Sequence, residues 1–290
     1  MPPQESCGNT KVSVMKKKYL LTTDDGTSTL FLEEYEQAMH SMSGAYEESL
    51  LKHIIPSEIL EIKDNNIAAL DIGFGLGYNV LALMNEFILR NKTGKLKIVS
   101  LEKDRYFLEF MNSVKFNDSR DEVYSFIKDV YASCEGEYKG IELKIIFGDA
   151  RETLNSLQGN KFSAIFQDPF SPSKNPELWS VDYFVKLKLL LTDNGIITTY
   201  SSADQIRRAM IEAGLFIGRG PSVGKKREGT IASLIRTVTE LNDEDKKEIM
   251  GNIKSEPYRD ENFNLSREII LENRLNRIKE IKDRIKDTAK

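Results

Sequence analysis

Five residues constrain the fold of this chain more than any others: the turn Gly73-Phe74-Gly75-Leu76-Gly77. An apolar stretch of strand type, residues 67–72, runs into it, and an apolar-periodic stretch of helix type, residues 80–88, runs out of it. Strand, glycine turn and helix together open an open α/β sheet. Ligands bind at such a turn because the backbone can approach closely and the helix N-terminus presents free N–H groups. The spacing is Asp71-x-Gly-x-Gly-x-Gly, not the Gly-x-Gly-x-x-Gly of a dinucleotide site. Without a third glycine in the dinucleotide register, the turn points to a nucleoside lacking a pyrophosphate, for which S-adenosylmethionine is the candidate. A tight structural turn with no ligand is the competing reading.

Composition narrows the class. The chain has 290 residues, 40% hydrophobic and 30% charged, which suits one large α/β domain with extensions. No apolar run is long enough to span a bilayer, and no signal-peptide pattern opens the chain, so a cytoplasmic protein is expected. The two cysteines, Cys7 and Cys134, have no metal-ligand spacing, and the two histidines, His40 and His53, make no metal site. Net charge is -4, so any nucleic-acid surface must be local.

Further markers follow along the chain. Residues 19–31 read as a hairpin turned at Asp25-Gly26. Ser43 is placed to cap a helix that ends near Pro56 and carries Glu48. A second strand ends in Glu102, where an acid accepts from ribose hydroxyls. A third ends in Gly148-Asp149-Ala150, with Asp149 placed either for an adenine amino group or as a helix cap. A fourth ends in Asp168-Pro169-Phe170, followed by a proline-stiffened loop with Lys174, Asn175 and the single tryptophan, Trp179. Arg207, Arg208, Lys225, Lys226 and Arg227 form the best phosphate-contacting patch. Leu271, Leu275, Ile278, Ile281 and Ile285 give a C-terminal helix one apolar seam, to dock on the body or pair with another chain.

The order Asp71-x-Gly-x-Gly-x-Gly, Glu102, Gly148-Asp149-Ala150, Asp168 resembles class I S-adenosylmethionine-dependent methyltransferases. The finer stretches Asp149-Ala-Arg-Glu-Thr-Leu154, Asp168-Pro-Phe-Ser-Pro-Ser-Lys-Asn-Pro-Glu-Leu-Trp179 and Gly224-Lys-Lys-Arg-Glu228 resemble the methyltransferase domain of the tRNA 5-methylaminomethyl-2-thiouridine biosynthesis proteins. The match runs from about Tyr19 to Ile235. The resemblance implies a Rossmann-like α/β domain at 61–238, preceded by a flexible start (1–18) and a hairpin and helix extension (19–60), and followed by a helical extension (239–290). It also implies a stand-alone methyltransferase without the oxidase domain, acting on the aminomethyl group of a tRNA wobble uridine in the anticodon region. The implied cofactor contacts are Glu48, Asp71, Gly73, Phe74, Gly75, Gly77, Asn79, Glu102, Asp149, Ala150 and Asp168, with Asp168 also catalytic and no metal. Substrate contacts fall to Phe170, Lys174, Asn175, Trp179, Arg207, Arg208, Lys225, Lys226 and Arg227. Phe170 and Trp179 are the candidates for stacking on an extruded base. A small-molecule amine methyltransferase or an aminopropyl transferase on the same sheet is the alternative.

Overall fold

The computed structural model describes residues 18–23, 26–39, 44–222, 228–235 and 240–288. The expected flexible start up to residue 17, Asp25, Ser43, and the basic trio Lys225, Lys226 and Arg227 lie outside them. The chain begins with an antiparallel sheet of β1 (Lys18–Thr22), β2 (Ser28–Leu32) and β3 (Gln37–Ala38), the first two forming the expected hairpin. A short helix α1 (Ala45–Ser49) then widens into a turn at Leu50–Ile54. There the Ile55 N–H donates to the Leu50 carbonyl five residues back, at 2.9 Å. This wider turn carries Lys52 and His53, both buried.

The main sheet starts with β4 (Asn66–Ile72), passes through the glycine turn into α2 (Tyr78–Leu89), and continues with β5 (Lys95–Glu102). Helices α3 (Leu108–Met111) and α4 (Arg120–Ser133) lead to the hairpin of β6 (Glu135–Tyr138) and β7 (Ile141–Phe147). After α5 (Ala150–Thr153) come β8 (Phe162–Gln167), α6 (Val181–Leu190) and β9 (Leu191–Thr199). Helix α7 (Asp204–Glu212), β10 (Phe216–Arg219) and β11 (Thr230–Ser233) complete the sheet. Beyond it lie α8 (Asp243–Gly251) and the long α9 (Arg267–Thr288).

The eight strands run in the order β10-β11-β9-β8-β4-β5-β7-β6. The five from β9 to β7 are parallel, and β11 and β6 pair antiparallel on the two flanks. The chain builds from β4 toward β7 on one side and then returns to place β8 on the other. The switch point therefore falls between the C-terminal ends of β4 and β8, where an open α/β sheet leaves a ligand crevice. This is the Rossmann-like α/β methyltransferase fold.

Alternation along the strands decides which face each residue serves. Ile67 and Ala69 face the core layer under α2 and α4, and Leu70 and Ile72 face the layer under α6 and α7. Asp71 continues the first series, so its carboxyl is driven into the α2 side with 0% exposure. It survives there because Ser100, its register partner on β5, donates to it at 2.6 Å, and Asn79 in the first turn of α2 donates at 3.2 Å. Burial nevertheless pushes the Asp71 carboxyl up to about 6.

Helix α9 spans 22 residues, and its first turns carry the packing: Ile270 is buried, whereas Leu275 and Ile285 of the expected seam are 61% and 51% exposed. Arg274 and Arg277 fix the helix by donating to the Glu256 and Pro257 carbonyls. The seam thus docks on the body over its N-terminal part only.

Candidate functional site

A pocket of about 450 Å³ opens over the C-terminal ends of β4, β5, β7 and β8. Its size matches a nucleoside-sized ligand. Gly73 and Gly75 form its floor, Glu102 and Asp149 one wall, and Asp168 with the loop after it the other.

The two glycines do different work. Gly73 has φ +90°, and a Cβ there would lie 2.7 Å from the Asp168 carbonyl oxygen. The ends of β4 and β8 are therefore in backbone contact, and only glycine permits it. Gly75 has φ +57°, and the nearest atom to a Cβ would be the side-chain sulfur of Met39 at 3.2 Å. Its backbone is open to the pocket, and its N–H donates to Glu102 Oε2 at 2.8 Å. Gly77 sits in the left-handed region at the N-cap of α2 with the Phe74 ring against it.

Glu102 ends β5 and curls over the turn. Its Oε1 accepts from the backbone N–H groups of Lys103 (2.7 Å) and Asp104 (2.8 Å). Burial outweighs these donors and raises its carboxyl to about 7. Asp149 caps α5, accepting from the Arg151 N–H at 2.9 Å, and also takes the Arg151 guanidinium as a two-point pair. Burial opposes ionisation of Asp149, but the bonds from Arg151 prevail and hold its pKa below the usual range. The sequence offered a cap or a ligand contact for Asp149; as a residue that caps α5 and lines the pocket, it is placed for both.

Asp168 follows β8, with its N–H bonded to the Ile72 carbonyl. Its side chain is 18% exposed and lies between the main pocket and a smaller recess of about 80 Å³. Asn79 Nδ2 donates to its Oδ2 at 3.0 Å, while also donating to Asp71. His53 Nε2 stands 3.5 Å from its Oδ1, and His53 Nδ1 is 3.0 Å from Thr198 Oγ1. Two buried side chains thus fix both oxygens of this carboxylate. Glu48, His53, Asn79 and Tyr200 line the recess behind it.

Several expected contacts need correction. Asp71 is wholly buried and supports Asn79 and Ser100 instead of meeting a ligand. The Phe74 side chain is 3% exposed and packs on Gly77 and Tyr131, so that residue offers no side chain to the pocket. Glu48 is 8% exposed and belongs to the recess, not to the main pocket. Trp179 has 0% exposure: its Nε1 donates to the Phe170 carbonyl at 2.8 Å and its ring packs edge-on against Phe184 and Tyr200. A ring so enclosed stacks on no base. Phe170 does line the pocket, and its outer partner is Tyr35, stacked at 4.0 Å and 13°. Asn175 lines the pocket and donates to Glu177. Lys174 is paired with Glu36, which fastens the loop to the N-terminal sheet.

The arginines of the basic patch are occupied. Arg207 is 6% exposed and donates to Thr230 Oγ1, Glu228 and the Gly229 carbonyl. Arg208 pairs with Glu212 and Glu256. Both hold the end of the sheet together and have no guanidinium left over for phosphate. Arg207→Ala is therefore expected to cost stability, about 2–4 kcal/mol for a mostly buried pair that loses one partner, read as a lower urea midpoint. A variant of unchanged stability with weakened nucleic-acid binding would restore the phosphate reading.

Reasoning from the sequence passed over Tyr35, Met39, His53 and Tyr200 at this site. Tyr200 carried a signal, since it directly follows a strand that ends on the ligand edge. Tyr35, Met39 and His53 carried none, because their partners are distant in the chain.

Comparison with known proteins agrees with this geometry. Residues 116–235 match the family model described as S-adenosyl-L-methionine-dependent methyltransferase. An uncharacterized protein of Methanocaldococcus jannaschii is 30% identical over 281 residues, covering 94% of this chain and 76% of that protein. The bifunctional tRNA 5-methylaminomethyl-2-thiouridine biosynthesis protein MnmC of Leptospira borgpetersenii is 29% identical over 175 residues, which is 57% of this chain and 26% of that protein. The crystal structure of MnmC2 from Aquifex aeolicus superposes with a TM-score of 0.81 at 30% identity, over 92% of this chain and 87% of that one.

Proposed function

We propose that this chain, which belongs to the S-adenosyl-L-methionine-dependent methyltransferase family of MnmC2, methylates the 5-aminomethyl nitrogen of a tRNA wobble uridine. The observation that carries this reading is Asp168: a carboxylate at the switch point, fixed from behind by Asn79 and His53, on the wall of the cofactor pocket. S-adenosyl-L-methionine is the cofactor, and the residues present suit it. Gly75 leaves its backbone open, Glu102 offers acceptors for ribose hydroxyls, and Asp149 beside Ala150 offers one for the adenine amino group. When bound, this cofactor supplies an electrophilic methyl group.

The work left to the protein is to present a neutral amine. An aliphatic amine is mostly protonated at neutral pH, with a pKa of about 10.4 for a lysine-like group. Asp168 accepts a hydrogen bond from the ammonium, takes its proton and holds the nitrogen in line, and positioning supplies much of the remaining rate. The stacked pair Tyr35 and Phe170 beside Asp168 gives an extruded base an aromatic edge. The test is incubation of the protein with methyl-labelled cofactor and either unmodified or aminomethyl-bearing tRNA, followed by nucleoside analysis. Label is expected in 5-methylaminomethyl nucleosides from the aminomethyl tRNA alone. Label in free small amines, with none in tRNA, would favour the small-molecule alternative.

Glu102 gives the cofactor site a pH dependence. Its folded pKa, about 7, stands above the ordinary 4.5. Between those values the folded state holds the proton that the unfolded state has lost, so this group's contribution to stability falls as pH rises through that window. Ribose hydroxyls donate to the ionised form, so ligand affinity moves the opposite way. S-adenosylhomocysteine is expected to bind more tightly as pH rises from 6 to 8, by up to about tenfold per unit below the midpoint, with protons released on binding. Calorimetry in two buffers of different ionisation enthalpy measures both, and a flat affinity across this range would remove Glu102 from the contact.

A further inference from the structure

The segment after β11 is tied to the cofactor pocket through a chain of charged side chains. Arg151 is 13% exposed, and its guanidinium is shared between two carboxylates. On one side Nε and Nη2 donate to Asp149 at 3.1 and 2.8 Å. On the other, Nη1 donates to Asp260 Oδ2 at 2.7 Å and to the Leu265 carbonyl at 2.9 Å. Asp260 has 0% exposure and is itself fixed: its Oδ1 accepts from the backbone N–H groups of Asn264 and Leu265, and its own N–H donates to Asp182. A second contact lies at the pocket mouth, where the Arg267 guanidinium sits 4.8 Å over the Tyr35 ring that stacks on Phe170.

We propose that the C-terminal segment is a working part of the cofactor site, with Asp260 a positioning residue that holds Arg151 and thereby aims Asp149 into the pocket. A guanidinium is a planar fork, so pinning Nη1 fixes the direction in which Nε and Nη2 point. With Nη1 released, the fork turns and carries Asp149 with it. Cofactor binding and docking of the segment around residues 258–271 are then linked, and each strengthens the other by the same factor. The inference rests on Asp149 as a cofactor contact and not on the tRNA substrate, so its test needs no RNA.

The test is calorimetry with S-adenosylhomocysteine on a double-mutant cycle of Asp149→Ala and Asp260→Asn. The amide keeps an acceptor for the N–H groups of Asn264 and Leu265 but turns an NH₂ toward Arg151 Nη1, so the contact is broken with little change in volume. Asp260→Asn is expected to weaken binding about tenfold, within the usual range for coupled sites, and to cost less than twofold when Asp149 is already alanine. Arg151→Lys, which keeps the charge and loses the fork, should give the same loss and covers a poorly folding Asp260→Asn. Hydrogen exchange over residues 258–271 should slow when the ligand binds wild type, and not when it binds Asp149→Ala. An equal penalty in both backgrounds would make Asp260 a general packing residue and overturn the proposal. No penalty in either background would do the same. Wild-type affinity in Asp149→Ala would remove Asp149 from the cofactor site and the inference with it, leaving the substrate reading untouched.

Discussion

Asp168→Asn is expected to lower turnover by about 10²–10⁴, the usual cost of a lost acid–base group, while S-adenosylhomocysteine affinity changes little. The amide keeps the size of the side chain and its place between the two cavities. It cannot take a proton from an ammonium group, and it can accept at one atom only, whereas Asn79 and His53 face both oxygens of the carboxylate. Single-turnover kinetics with saturating cofactor isolates the chemical step, and calorimetry gives the affinity. If affinity fell as far as turnover, Asp168 would be a cofactor contact and the base would have to be sought elsewhere.

Gly73→Ala is the second large expectation. The added carbon would stand 2.7 Å from the Asp168 carbonyl oxygen and 3.1 Å from its carbonyl carbon, both backbone atoms, in a residue with φ +90°. Backbone at the ends of two central strands cannot step aside as a side chain can. The strain amounts to about 1–3 kcal/mol for the dihedral alone, and relieving the clash pries β4 from β8 at the ligand crevice. Loss of measurable cofactor binding with a lower melting temperature is expected. Gly75→Ala is the control, because the atom it meets is the flexible end of Met39. It should melt close to wild type, and Gly75→Val should block the pocket by volume. Wild-type binding by Gly73→Ala would mean that the two strand ends are not in contact.

The contrast between these glycines shows what the sequence could and could not convey. The turn and its flanking strand and helix were readable because their periodicity and spacing are local. So was the series of acids at strand ends, since Glu102, Asp149 and Asp168 each close an apolar run. Direction was not readable. Asp71 belongs to the same motif as Gly73, yet strand alternation sends it inward to Ser100. Neither was pairing: Arg207 and Arg208 look like a phosphate patch until Glu228 and Glu256 are folded against them. His53 reads as a lone histidine on a helix, and its partner Thr198 is 145 residues away. Trp179 stood out by rarity and by the polar residues beside it, but its indole fills the core.

The wide turn at Leu50–Ile54 bears on which changes in length the protein tolerates. One extra residue is accommodated there, seen in the bond from the Ile55 N–H to the Leu50 carbonyl. Deleting any single residue of the turn would restore a regular helix and rotate everything on one side of it by about 100° relative to the other. Glu48 and His53, which lie on opposite sides of that point, now share the recess behind Asp168. After the deletion they no longer would, although the helix itself would be better formed. This is a segment where a shorter chain would fold more regularly and serve the site less well, so its register is set by the site and not by helical propensity.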